Sequence, residues 1–219
     1  MTRRWSTDAG GGAERLTMAG RITFLRHAES AANAGLKTAS NAEGPLSDKG
    51  YAQAAAFAER MAKPPDLLLV SPFRRTLETA APIRERFPGL PCEVRDGLHE
   101  FVYLSPARFN GTDASQRASA IADYWAAMDH GVSDGPDAES FADFMDRVRG
   151  ELDYLGALRD ADILVVSHGQ FIHLARELNE VPDIAPHDMM PRFHREWKAA
   201  QIGNAETCEL ALRETALRR

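Results

Sequence analysis

Ile163-Leu164-Val165-Val166-Ser167-His168-Gly169 holds four consecutive aliphatic residues and then turns polar. A run this short, apolar throughout and rich in β-branched side chains, reads as a strand buried on both faces of a parallel sheet. Two other stretches share the form. Ile22-Thr23-Phe24-Leu25 ends at Arg26-His27, and Leu67-Leu68-Leu69-Val70 ends at Ser71-Pro72, with Arg74-Arg75 just beyond. Helical patterns lie between them. Ser47 suits an N-cap for a helix to about Ala62, with Tyr51, Ala54, Ala55, Ala58 and Met61 on one stripe. A second helix starts near Phe73, and Pro82 is expected to break, kink or restart it. Further helices are expected over Ser115 to Met128, Glu139 to Arg159 and Gln170 to Leu178, with short strands at Cys92 to Val94 and Ala205 to Leu212. Strands alternating with helices predict an α/β fold, a three-layer α/β/α sandwich around a mostly parallel sheet.

In such sheets ligands bind beyond the carboxyl ends of the strands. The fold alone therefore gathers Arg26-His27, Ser71-Pro72-Phe73-Arg74-Arg75 and Ser167-His168-Gly169 at one edge. Singly, each is weak. An Arg-His pair after a strand is commonly just a loop, and Ser-Pro before two arginines can be helix initiation. Ser-His-Gly is stronger, because glycine permits a sharp turn and a helix N-terminus attracts anions. Together they bring two histidines and at least two arginines to one crevice. Guanidinium forks match phosphate oxygens, and imidazole can attack phosphorus. The pattern points to phosphoryl transfer with fixed cations in the role that Mg²⁺ fills elsewhere.

Composition agrees. The chain has 219 residues, 44% hydrophobic and 26% charged, with a net charge of -6. That balance suits a globular domain and argues against a nucleic-acid partner, which calls for a basic face. No apolar run reaches the roughly 18 residues of a membrane span, and the expected location is the cytoplasm. Cys92 and Cys208 are far apart and form no C-x-x-C pair, so reduced thiols are expected. Arg3-Arg4 is followed by no apolar stretch, which argues against a secretion signal. Residues 1–20, with Gly10-Gly11-Gly12, are expected to form a flexible tail, and Met18 is an alternative start. Residues 21–219 are expected to form one domain.

The segment Leu25-Arg26-His27-Ala28-Glu29-Ser30 with Asn33 resembles the N-terminal signature of the histidine phosphatase superfamily, also called phosphoglycerate-mutase-like. Ser71-Pro72-Phe73-Arg74-Arg75-Thr76 with Thr79-Ala80, Leu98-His99-Glu100 and Val166-Ser167-His168-Gly169 match in order. Ala138-Glu139-Ser140-Phe141 and Gly203-Asn204 are also similar. The resemblance runs from about Arg21 to Leu212 and implies a phosphomonoester hydrolase that works through phosphohistidine without metal or other cofactor. It implies His27 as nucleophile, Glu100 as proton donor and later base, and Arg26, Arg75 and His168 as the phosphate pocket. It further implies that Asn33 hydrogen-bonds a phosphate oxygen and that Arg74 is a rim charge. Arg26 and Arg75 should keep His27 unprotonated. Glu100 should need burial or a second carboxylate to hold its proton.

Ala28 stands where the family usually has glycine, and Phe101-Val102-Tyr103-Leu104-Ser105-Pro106 replaces the Gly-rich, Trp-containing stretch of the mutases. The insert of about 101–138, expected to be a helical lid, has only Arg108 and Arg117 as formal cations. Phosphatase is thus favoured over a phosphoglycerate-type mutase, which must retain a bisphosphorylated intermediate. Phe101, Tyr103, Tyr124 and Trp125 are expected to line the substrate side or, for at least half of them, to form the insert's own core. His99, His130, His173, His187 and His194 have no partner pattern and are expected to be surface or satisfied groups. His27, His168 and Glu100 also have the ligand types of a His₂Glu zinc site, but Arg26 and Arg75 would repel a dication there. A non-catalytic phospho-ligand binder has no need of Glu100. The expected partner is a small phosphorylated molecule, and sugar phosphates, nucleotides, aryl phosphates and phosphoproteins are all compatible with the pattern.

Overall fold

A computed structural model describes residues 20–37, 40–158 and 160–212. The expected N-terminal tail and both candidate starts lie outside the described residues, apart from Gly20. Five strands form one sheet: β1 (Ile22–Arg26), β2 (Leu67–Val70), β3 (Cys92–Val94), β4 (Ile163–Ser167) and β5 (Thr207–Leu210), in the order β3-β2-β4-β1-β5. Every pairing is parallel except β1 with β5. The helices are α1 (Asp48–Arg60), α2 (Arg74–Arg86), α3 (Pro106–Phe109), α4 (Ala114–Ala127), α5 (Phe141–Ala157), α6 (Gly169–Glu180) and α7 (Pro186–Ala199).

The pleat sorts the apolar runs into two cores. Ile22, Phe24, Leu69, Ile163 and Val165 face one way and pack with Phe144, Val148, Phe171, Leu174 and Phe193 from α5, α6 and α7. Leu25, Leu68, Val70, Leu164 and Val166 face the other way, against Ala58 of α1 and Ala80 and Ile83 of α2. This is the three-layer arrangement read from the sequence. Phe24, Phe144 and Phe171 are at most 1% exposed, so truncating any one to alanine should cost about 3–5 kcal/mol.

Caps mark the helix starts. The Ser47 hydroxyl accepts the Gly50 amide at 3.1 Å, and Ser140 forms a capping box with Asp143 at the start of α5. Two expectations need correction. Pro82 does not end its helix: α2 runs unbroken through it to Arg86. Proline leaves only the Glu78 carbonyl without its helical donor, and the flanking turns still pack Ala80 and Ile83 on the sheet. The helix α7 was not among those expected; it starts at Pro186 and carries Pro191 inside. Its stripe of Met189, Met190 and Phe193 is nevertheless fully buried. Of the insert's aromatics, Phe101 and Trp125 are buried in the main core and not in a separate core of the insert, Phe101 against Phe141 and Phe144 and Trp125 against Phe193.

Candidate active site

Register sets the site. Arg26 lies opposite Ser167 across β1 and β4, and Val70 lies opposite Val166 across β2 and β4. The next residues, His27, His168 and Ser71, therefore leave the sheet at one edge. The His27 amide bonds the Ser167 carbonyl at 2.9 Å, and the Ser71 amide bonds the Val166 carbonyl at 3.0 Å. The two imidazole centroids are 5.2 Å apart.

Hydrogen bonds define both tautomers. A carbonyl can only accept, so His27 Nδ1 donates to the Ala28 carbonyl at 2.7 Å and leaves a lone pair on Nε2. That lone pair accepts from Arg75 Nε at 3.1 Å. Arg75 Nη2 donates to His168 Nδ1 at 3.1 Å, so His168 Nε2 carries its proton and donates to Ser71 Oγ at 2.8 Å. A single guanidinium thus bridges both rings, and its Nη1 is spent on the Asn41 carbonyl.

Burial strengthens these electrostatics. His27, Arg75 and His168 are 3%, 7% and 0% exposed. Burial first, then the Arg75 charge, holds the His27 imidazole well below its ordinary pKa; Arg26 adds to this, and the Ala28 bond opposes it. His168 is depressed for the same first two reasons. The neutral His27 read from the sequence is thus supported, with desolvation ahead of the arginines. Burial also pulls Arg75 down to about 10 and lowers Arg26 against the opposing pull of Glu100 and Glu206.

Arg26 donates to the Ile202 carbonyl, while its Nε is buried without a hydrogen-bond partner. An orphaned cationic donor beside an imidazole lone pair suits an anion. Gly169 makes room for it. A Cβ there would meet Trp197 at 2.7 Å and Arg26 Nε at 3.3 Å. The glycine serves close approach and not the sharp turn expected, since it is absent from the glycines of positive φ.

Glu100 reaches the same edge. Its Oε1 accepts from the Phe101 and Phe171 amides at 3.0 and 3.2 Å, and its Oε2 from the Gln170 amide at 3.3 Å. The N-terminal turn of α6 holds this group through the Gln170 and Phe171 amides. Asn33 is less direct than foreseen. Its Oδ1 accepts from the Ser30 amide and hydroxyl and from Asn204 Nδ2, so only its own amide nitrogen remains to meet a ligand. Arg74 is a rim charge, paired with Glu78 at 2.7 Å.

Two other contributors were marked in the sequence only as parts of family-like segments. Asn204 Nδ2 donates to the His27 carbonyl at 3.0 Å, and Thr79 Oγ1 accepts the Ala28 amide at 3.0 Å. Of the histidines read as idle, His99 lies 3.6 Å from Glu139, and His173 is buried against Phe193 and Trp197 with Nε2 unpartnered.

Residues 22–207 match the histidine phosphatase superfamily (branch 1). The chain belongs to this superfamily. Among relatives, a glucosyl-3-phosphoglycerate phosphatase of Mycolicibacterium vanbaalenii is 40% identical over 81 residues; the match spans 36% of this chain and 36% of that protein. Among solved structures, the alpha-ribazole phosphatase from Shigella flexneri aligns with a TM-score of 0.67 at 19% identity, over 90% of this chain and 92% of that one. At that identity the likeness concerns the fold. A mycobacterial glucosyl-3-phosphoglycerate phosphatase in complex with VO3 aligns with a TM-score of 0.66 at 25% identity, over 88% and 91% of the two chains. In this histidine phosphatase family member Glu100 also borders a cavity of about 240 Å³, bounded by Phe101, Tyr103, Phe109, Asn110 and Arg117, among others. No helix among the described residues is long and apolar enough to cross a membrane.

The neutral, buried imidazoles have a consequence for stability. In the unfolded chain a histidine titrates near 6.5. Below that pH the unfolded state binds protons that folded His27 and His168 refuse, so stability falls as pH falls. Each can contribute up to about 1.4 kcal/mol per pH unit until its folded pKa is reached. Urea midpoints at pH 7.5 and 5.5 should show the drop, and His168→Gln should shrink it. An equal drop in that variant would assign the effect to other groups.

Proposed function

We propose that this protein is a metal-independent phosphomonoester hydrolase in which phosphate passes through His27. The observation that carries the reading is the His27 tautomer: Nδ1 is anchored on a carbonyl, and the Nε2 lone pair accepts from Arg75, with the His168 ring 5.2 Å away. Arg75 and Arg26 hold the phosphoryl oxygens, with His168 alongside, its Nδ1 on Arg75 and its Nε2 proton on Ser71, and with Asn33 at the rim. His27 Nε2 attacks phosphorus, the ester P–O bond breaks, and the leaving oxygen takes its proton from Glu100. Water then attacks the phosphohistidine. Its proton passes to the Glu100 carboxylate, and free phosphate and neutral His27 result.

The substrate is a small phosphorylated molecule whose leaving group enters the cavity past Glu100. That cavity is below the roughly 300–1,000 Å³ of pockets for drug-sized molecules. Among the described residues, Arg117 is the one cation that lines it, while Arg108 is paired with Asp134. A single cation suits at most one further anionic group, which supports a phosphatase over a mutase. The insert of residues 101–138 is read as a lid over this cavity.

Both imidazoles face the Arg75 cation, a poor setting for a dication. Turnover of a generic phosphoester should accordingly survive EDTA. Vanadate should inhibit at low concentration, because it resembles the transferring phosphoryl group. Activity lost in EDTA and restored by zinc would sink this reading.

A further inference from the structure

The Glu100 carboxylate rests on backbone amides, and the backbone on both sides of it is pinned by α5 and the residues that lead into it. On α5, Arg147 Nη1 donates to the Gly97 carbonyl at 2.8 Å and the His99 carbonyl at 2.9 Å. The rest of its fork grips Glu139, with Nε to Oε2 at 3.0 Å and Nη2 to Oε1. Glu139 then brackets the far side of Glu100. Its amide donates to the Val102 carbonyl at 2.9 Å, and its Oε1 accepts the Val102 amide at 3.1 Å. Both side chains of the pair are 15% exposed. One turn further along α5, Glu151 takes Arg95 in two hydrogen bonds of 2.8 and 3.1 Å. A Cβ at Gly97 would stand 2.0 Å from Glu151 Oε1, so a side chain there would push Glu151 from its place on Arg95.

We infer that Arg147 and Glu139 form a positioning pair that sets where the Glu100 carboxyl stands relative to the leaving group. This deepens the phosphatase reading above and rests on it. The pair touches no reacting atom; it fixes the carbonyls before Glu100 and both backbone groups of Val102 after it. Five donors in a rigid plane can hold two carbonyls and a carboxylate at once, which a lysine ammonium cannot do with the same geometry. Small misplacement of a catalytic group is costly, with about 1 Å worth on the order of a hundredfold.

The test compares an alkyl phosphate with 4-nitrophenyl phosphate, whose leaving group needs little protonation. Arg147→Lys keeps the charge and loses the fork. It should lower turnover of the alkyl ester roughly tenfold to a hundredfold more than that of the nitrophenyl ester. Glu139→Gln, which retains an acceptor for the Val102 amide, should do the same more mildly. In Glu100→Gln the ester selectivity should already be present, and adding Arg147→Lys should not increase it. Equal losses on both esters in either pair variant would overturn the proposal and leave the pair with a stabilising role only. Glu100→Gln without ester selectivity would overturn the proton-donor reading itself, and the pair's role with it. If Arg147→Lys fails to fold, Glu139→Gln decides alone by the same ratio.

Discussion

Replacing His27 by alanine is expected to abolish turnover and phosphoenzyme labelling together. Loss of a catalytic nucleophile typically costs on the order of 10⁶ in kcat, and this site has no second lone pair in place. His168 Nδ1 is already bonded to Arg75 and its Nε2 is spent on Ser71. Wild-type enzyme quenched during turnover should carry phosphate that is labile to acid and stable to alkali, and His27→Ala should carry none. The alternative to test is a direct attack by water with His27 as a mere ligand. Then labelling would be absent in wild type as well, and His27→Ala would retain a measurable fraction of the rate.

The second large effect is expected at Glu100, and it should depend on the ester. Glu100→Gln keeps shape and an oxygen for the α6 amides but has no acid proton to give. General acid help is worth about 10² to 10⁴, so an alkyl phosphate should slow by that factor. The first step on 4-nitrophenyl phosphate should slow much less. Hydrolysis of the phosphoenzyme also loses its base, so phosphohistidine should accumulate on the nitrophenyl substrate. Wild-type rates on both esters would point to another carboxylate. Geometry already weighs against two of them, because Glu29 is engaged by Lys49 and Ser47 and Glu78 by Arg74 and the Leu46 amide. Asp96, beside the neighbouring cavity that His99 also lines, would then be tested in the same assay.

Much of this was legible before any coordinates. The strands were readable because burial on both faces demands uninterrupted apolar residues, and their carboxyl ends told where His27, Arg75 and His168 would meet. Glu100 became visible only through likeness to a family, since nothing local marks a glutamate after Leu98-His99. Groups that act through the backbone were silent. The Asn41 and Ile202 carbonyls that orient Arg75 and Arg26 leave no trace in residue type. Arg147 carried no signal and Glu139 only that of a matching segment, because a long-range bond to a loop carbonyl has no periodicity. Pro82 misled because helix propensity penalises proline locally, and tertiary packing of the flanking turns overrode it.

The place of β4 in the sheet bears on how the chain reaches this state. β1 and β2 are not neighbours; each pairs with β4, which lies between them. Partners such as Ile22 and Ile163 are distant in the chain, so loop-closure entropy must be met before the central pairing rewards it. A growing polypeptide halted before residue 163 would display Ile22–Arg26 without its parallel neighbour and Leu67–Val70 with an open edge. Such edges invite intermolecular pairing. Refolding from denaturant should consequently be slow, lose yield as protein concentration rises, and regain activity only in step with the last strand pairing. Enzymatic turnover would then serve as a clock for the completion of the whole sheet.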